Sequence, residues 1–311
     1  MKQTTFLLLF LIPVLSSAAP WKRADATLST EWGENVTPDN AWTEYPRPQL
    51  QRKNWTNLNG LWNYSLTAHD DSHPGSWNGE ILVPFCIESP LSGVGHLLEP
   101  DEALWYQRSF ELKTQPEGTL LLNFDAVDYE CDVWVNGERV GSHRGGNLPF
   151  TFDITSYAKK GNNTLRLKVL DATSAEGSFQ LRGKQRLDNR GIWYTRVSGI
   201  HQTVWLEEVP NNHIENLRIT TTMDGRVNIQ ADTSASDHQF IEARVSYKGK
   251  EVASATGSAD SLSFQIKDPQ LWSPDAPNLY DLTVTLPDSG DTAKSYFGIR
   301  EVGMEYDDAQ G

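Results

Sequence analysis

From residue 105 onward the chain reads as short apolar runs broken by polar turns: WYQRSFEL, TLLLNFDAV, CDVWVNG, ERVGSH, PFTFDIT and NTLRLKVLD. Turn residues recur at about every eight to twelve positions, the spacing of antiparallel strands folded into a sandwich or barrel. No segment carries sustained helical periodicity with caps, which argues against a helical bundle or a doubly wound sheet. RKNWTNLNG, residues 52–60, reads as the place for a short helical turn.

One hairpin is specified in detail. Cys131, Val133 and Val135 alternate with Asp132 and Trp134, so the two sets point to opposite faces of a strand. Asn136-Gly137 then suits a two-residue turn whose central residues both need positive φ, and ERVGSH returns antiparallel. His143 and Arg144 beyond it read as solvent-exposed side chains.

Val209-Pro210-Asn211-Asn212 interrupts this pattern, since proline and paired asparagines end a strand. Beyond it come IENLRIT, RVNIQA, FIEARVSY, EVASAT, SLSFQI, LYDLTVTL and KSYFGI. Ala243, Val245 and Tyr247 share one face of their run, as do Leu262, Phe264 and Ile266 of theirs. Seven runs in about 90 residues suggest an immunoglobulin-like sandwich without its cysteine pair. The expectation is an all-β chain of two sandwiches in series, over residues 27–210 and 211–300, with a short tail at 301–311.

The start of the chain reads as an export signal over residues 1–19. Lys2 precedes an apolar run from Phe6 to Leu15, and Ser16-Ser17-Ala18-Ala19 supplies small residues for cleavage. The run is too short to span a bilayer as a helix. Lys22-Arg23 follows, either a second processing site that would make residues 20–26 a short propeptide or two solvated charges. Sequons at Asn35, Asn54, Asn63 and Asn162 fit a secreted, extracellular glycoprotein. The two cysteines, Cys86 and Cys131, either pair in an oxidising compartment or stay buried as thiols.

A net charge of −14 argues against nucleic acid and against anionic membrane surfaces as partners, because both demand a basic face. The chain has neither a G-x-S-x-G elbow nor a glycine-rich phosphate cradle, and it lacks H-E-x-x-H and C-x-x-C patterns. No cofactor or metal is called for. His69-Asp70-Asp71-Ser72-His73 gathers imidazoles and carboxylates in what reads as a solvated turn. Glu301, Glu305, Asp307 and Asp308 lie in a terminal segment, a poor frame for paired carboxylates at fixed separation.

Seven segments, in order, resemble glycoside hydrolase family 2, the family of β-galactosidases, β-glucuronidases and β-mannosidases. They are LNGLWNY, VPFCIESPLSG, WYQRSF, DYECDVWVNGERVGSHRGGNLPFTFDIT, GIWYTRVSGIHQTVWLEEV, QLWSPDAPNLYDLTV and FGIREV, spread over roughly residues 45–302. The resemblance implies a jelly-roll, galactose-binding-like sugar-binding domain followed by an immunoglobulin-like sandwich. In the family a (β/α)₈ barrel carrying both catalytic glutamates comes next, and such a barrel takes about 250 residues. Only nine residues follow Val302, so the expectation is a chain without the catalytic module and inactive alone. No catalytic residue is carried over.

The resemblance also implies that the segment before the GIWY-type strand reaches over the barrel mouth with an acidic residue toward sugar, and Asp188 in RLDNRGIWYT is the match. The implied partners are carbohydrate and a catalytic barrel, with the alternatives of a free-standing sugar-binding protein or a scaffold for a separate barrel. Of the eleven tryptophans, Trp62, Trp105, Trp134, Trp193 and Trp205 read as core side chains ahead of sugar-stacking platforms, and Trp272 as a pin for a loop of the second sandwich.

Overall fold

The computed structural model describes residues 21–26 and 28–303. The expected leader at 1–19 and the acidic residues Glu305, Asp307 and Asp308 lie outside the described residues. In the first half the strands are β1 (Trp55–Asn57), β2 (Gly60–Ala68), β3 (Gly79–Val83), β4 (Glu102–Leu112), β5 (Thr119–Phe124), β6 (Val127–Asp128) and β7 (Glu130–Val135). They continue as β8 (Glu138–Arg144), β9 (Phe150–Asp153), β10 (Gly161–Leu170), β11 (Gln185–Arg186), β12 (Tyr194–Thr195), β13 (Gly199–Ile200) and β14 (Val204–Val209).

Two sheets make the first sandwich, one ordered β3-β2-β4-β10-β7-β8 and the other β1-β14-β5-β9. Period-two alternation decides which side chains meet between them. Cys131, Val133 and Val135 of β7 pair in register with Val169, Leu167 and Leu165 of β10, and all six are buried. Leu120, Leu122 and Phe124 of β5 and Val204 and Leu206 of β14 close the same core from the other sheet. Each such Val, Leu or Phe is worth about 1.5–3 kcal/mol of burial, which holds the register against a one-residue slip.

The β7–β8 turn forms as its sequence dictates. Asn136 and Gly137 take φ values of +52° and +89°, and Val135 pairs with Glu138. Asn136 also reaches beyond its own hairpin. Its Nδ2 donates to Tyr157 O and Asn163 Oδ1, each at 2.8 Å, and its Oδ1 accepts from Thr164 N at 3.0 Å.

In the second half the strands are β15 (Ile214–Thr221), β16 (Arg226–Thr233), β17 (Phe240–Tyr247), β18 (Lys250–Ser258), β19 (Leu262–Gln265), β20 (Tyr280–Thr285) and β21 (Thr292–Phe297). The sheet β15-β16-β19 faces the sheet β18-β17-β20-β21. Ala243, Val245, Leu262 and Ile266 are buried in this second core, with Tyr247 and Phe264 packed against it.

Residues 52–60 depart from the helical expectation. Trp55–Asn57 is a strand paired with Glu207, Leu206 and Trp205 of β14, while a short 3₁₀ turn falls earlier, at Pro48–Leu50. An open sheet edge at β14 supplies ladder partners that outweigh local propensity. The same segment belongs to both sandwiches. Leu50 is buried in the second core, and Gln51 exchanges backbone hydrogen bonds with Lys294 at 2.8 and 2.9 Å.

Arg52 bonds the two sandwiches through a buried ionic junction. Its Nε and Nη2 donate to the two carboxylate oxygens of Asp291, at 3.1 and 2.9 Å, and its Nη1 donates to Glu207 Oε2 at 3.2 Å. Arg47 Nη2, Tyr45 Oη and Trp205 Nε1 complete the shell of Glu207 at 3.1, 2.6 and 2.7 Å. Asp291 accepts further from Ile214 N at 2.8 Å.

The tryptophans divide. Trp62, Trp105 and Trp205 are at most 2% exposed, as a core role requires. Trp134 is half-buried on the outer face of its sheet, stacked on Trp105 with centroids 5.6 Å apart. Trp193 is not in a strand and is half-buried, its ring under the Arg186 guanidinium at 3.9 Å. Trp272 pins the connection between β19 and β20, giving its N–H to Ile299 O at 2.8 Å with Arg300 over its ring. His143 is not solvated as expected. It is half-buried, stacked on Phe150 at 3.9 Å, while Arg144 pairs with Glu130 at 2.7 Å.

The structure holds Cys86 and Cys131 as two free thiols, not as a pair. Cys131 stands in the core on β7, whereas Cys86 lies in the turn leaving β3, and β2, β4 and β10 separate those strands. Burial pushes both thiols up to about 12, so they behave as small apolar side chains and not as nucleophiles.

Candidate functional site

The long connection from β10 to β13 spans residues 171–198 and carries only the two-residue strands β11 and β12. A connection of this length holds its shape only if something fastens it, and such segments commonly carry function. Here β11 and β12 pair in parallel within it, and polar side chains fasten its base.

Asp171, at its start, is fully buried beside Arg196, at its end. Arg196 Nη2 and Nε lie 2.6 and 3.1 Å from Asp171 Oδ2, and Ser198 Oγ donates to the same oxygen at 2.7 Å. Gln180 Nε2 and Thr173 N donate to Asp171 Oδ1 at 2.7 and 2.9 Å. Burial by itself would raise Asp171, but the Arg196 charge and these donors more than offset it and hold the carboxyl below its usual range.

Glu88, from the turn after β3, accepts from Ser198 N at 2.9 Å through Oε2. Its Oε1 is buried without a hydrogen-bond partner, 3.9 Å from Arg196 Nε, and burial raises the carboxyl. Asp128, at the end of β6, is 3% exposed. Burial, reinforced by the neighbouring negative charge of Asp171, pushes it up to about 7. Its nearest donor is Gln185 Nε2 at 3.5 Å, while Gln185 Oε1 accepts from Val197 N at 2.6 Å and so ties the two arms of the loop.

Above this base the loop exposes apolar side chains. Phe179 is 96% exposed, with Leu181, Ile192 and Tyr194 also open to solvent. Asp188, between Leu181 and Ile192 in the chain, is exposed as well. Its only charged neighbour among the described residues is Arg190 at 3.4 Å, and both side chains are exposed. The structure therefore places Asp188 where a partner could reach it and does not join it to Asp128, Asp171 or Glu88. Those three, with Arg196, lie inside segments legible in the sequence, but nothing in the spacing says that four distant positions meet.

A second candidate lies on the outer face of the six-stranded sheet. A groove of about 470 Å³ runs there, lined by Glu130, Asp132, Ser142, Arg144 and Lys168. Lys168 Nζ is held by the carbonyls of His69 and Asp71, at 2.7 and 2.8 Å, and lies 5.6 Å from the Trp105 ring. The His69–His73 turn is exposed, and its contribution to this face is those carbonyls. All four sequon asparagines, Asn35, Asn54, Asn63 and Asn162, are exposed. Lys22 and Arg23 are exposed too, while Trp21 Nε1 and Ala24 N bond the turn at Pro90–Ser92, at 3.2 and 2.9 Å.

The model for the sugar binding domain of glycosyl hydrolases family 2 matches residues 96–210, and a second model of glycosyl hydrolases family 2 matches residues 212–300. A β-glucuronidase of Paenibacillus borealis is 28% identical over 293 residues, covering 84% of this chain and 48% of that protein. A β-galactosidase of Leuconostoc mesenteroides is 32% identical over 206 residues, covering 58% of this chain and 19% of its own. The solved structure of Lactobacillus rhamnosus β-glucuronidase superposes with a TM-score of 0.66 at 24% identity, over 84% of this chain and 47% of that one, a likeness of fold. The chain thus spans half or less of the length of these relatives. Its two sandwiches are the sugar-binding and immunoglobulin-like domains of glycoside hydrolase family 2, and the chain belongs to that family.

Proposed function

We propose that the chain is the non-catalytic front half of a secreted family 2 glycosidase, whose parent reaction is hydrolysis of O-glycosyl bonds such as those of β-galactosides or β-glucuronides. The observation that carries this is the order of the two matched domains, sugar-binding then immunoglobulin-like, along a chain that covers 48% of a β-glucuronidase relative. The buried carboxylates support it. Asp171 is tied to Arg196, and Asp128 and Glu88 lie beneath the loop, so none of them faces an open cleft where two acids could flank a sugar bond. Exposure of all four sequon asparagines supports passage through a secretory pathway. In this reading Asp188 and the exposed loop face a catalytic barrel, and sugar specificity resides with that barrel.

The test is direct. The purified chain is incubated with nitrophenyl galactoside, glucuronide and mannoside, and no turnover above buffer is expected. Release of nitrophenol at glycosidase rates by the chain alone would overturn the reading.

The half-buried Trp134 beside the polar groove favours a second reading, a carbohydrate-binding protein that works without a barrel. A glycan array decides between them. Binding that is lost in Trp134→Ala supports autonomous recognition, and a blank array removes it.

A further inference from the structure

The base of the 171–198 loop holds more acid than base. Asp128, Asp171 and Glu88 supply three carboxyl groups, and Arg196 is the guanidinium set among them. Arg196 is committed to Asp171 by two short contacts. Glu88 Oε1 and Arg196 Nη1 are both buried without hydrogen-bond partners, so the cluster is under-satisfied as well as unbalanced. Three like charges cannot all ionise together in a buried site with one counter-charge.

Asp128 is where the surplus is resolved. Among the described residues it has no salt-bridge partner of its own, and its one hydrogen-bond donor stands at 3.5 Å, the outer limit of a hydrogen bond. Gly146 packs directly against it, where any side chain would collide, since a Cβ there would come within 2.6 Å of the Asp128 Cγ. The groups around it are Asp171, Arg196 and Gln185 of the loop and Glu88 beyond them. Tyr129 follows it in the chain. Behind the Gly145–Gly146 backbone stand His143 and His201, which donate to those carbonyls at 3.1 and 2.7 Å. Among the described residues near it, Gln185 contacts Asp128 and also clamps the loop's two arms.

We propose that Asp128 carries a proton while the 171–198 loop is seated and releases it to solvent when the loop lifts, so the loop is fastened in acid and loosens toward neutral pH. The direction follows from linkage. The seated carboxyl titrates at about 7 and the lifted one near the ordinary 3.8, so the seated form binds the extra proton between those values. The lifting equilibrium then grows by up to about tenfold per pH unit across that window and levels off above it. What lifting changes is the presentation of Phe179, Leu181, Ile192 and Tyr194. The device would thus set, by pH, whether this apolar crest is held in place for a partner.

Hydrogen exchange of the loop amides tests this in the full chain, with wild type and Asp128→Asn compared at each pH from 5 to 8. The ratio of the two rates cancels the intrinsic pH dependence of exchange. A ratio that climbs several-fold per unit to about pH 7 and then flattens is expected from linkage, and a flat ratio overturns the proposal. Should the variant fail to fold, the carboxyl carbon of Asp128 is titrated by NMR in the wild-type chain. A midpoint well above the ordinary carboxylate range supports the proposal, and one within that range overturns it.

Discussion

Two buried ion clusters lie among the described residues, and they are built to different rules. At the junction of the sandwiches, Arg47 and Arg52 face Glu207 and Asp291, two guanidinium groups against two carboxylates. All four carboxylate oxygens there have donors, from Tyr45, Trp205 or the Ile214 N–H as well as from the arginines, and one polar atom, Arg47 Nε, goes unpartnered. Burial lowers Arg52, yet its bonds and attraction to Asp291 and Glu207 leave its pKa raised, so it stays charged. Under the 171–198 loop, three carboxyl groups share Arg196 and two polar atoms go unpartnered. A balanced cluster fixes geometry and is indifferent to pH near neutrality. An unbalanced one stores a proton, and its stability must change with pH.

The largest expected effect tests the balanced side. Arg52→Met leaves Asp291 and part of Glu207 uncompensated and should cost about 3–5 kcal/mol, as for other broken buried pairs. Urea unfolding at pH 7 measures it, and a loss under about 1 kcal/mol would show the junction to be ornamental. Arg196→Met should cost less, about 2–3 kcal/mol at pH 7, because Asp171 keeps donors from Ser198, Gln180 and Thr173. The deficit should shrink in acid as the stranded Asp171 protonates. Equal deficits at pH 5 and pH 8 would contradict that account.

Asp128 sharpens the contrast further. Its seated value of about 7 exceeds the ordinary 3.8, so its contribution is complete below the lower value and is lost as pH rises to the upper one. Between them the slope reaches at most about 1.4 kcal/mol per pH unit. Thermal melts of wild type and Asp128→Asn should therefore converge in acid and part toward neutrality, with the variant the more stable. Parallel curves would count against it. The smallest effect is expected at Asp188, exposed and paired loosely with Arg190. Asp188→Ala should move stability by less than about 0.5 kcal/mol, while weakening any contact the crest makes with a barrel or sugar. A larger loss of stability would mean that Asp188 helps hold the loop.

Much of the fold was legible because it depends on local rules. Alternation placed Cys131, Val133 and Val135 in the core, and Asn136-Gly137 adopted positive φ where the hairpin needed it. Seven runs after Asn212 became seven strands. The failures have a common cause. Trp55–Asn57 became a strand because β14 offered a partner far away in sequence, and His143 was half-buried by stacking on Phe150 of β9. Of the two alternatives open for Cys86 and Cys131, the structure has the free thiols, because sheet order, not sequence distance, sets which side chains meet.

By itself the sequence determined the strand pattern, the two-sandwich organisation and, through its ordered motifs, the family. Those are properties of periodicity, turn chemistry and motif order, each readable within a few residues. Only the tertiary structure decided that Arg52 would join the sandwiches to Glu207 and Asp291, and that Asp171 and Glu88 would meet at Arg196 with Asp128 buried nearby. Charge balance belongs to a place in space, and the residues that share a place come from strands and loops far apart along the chain.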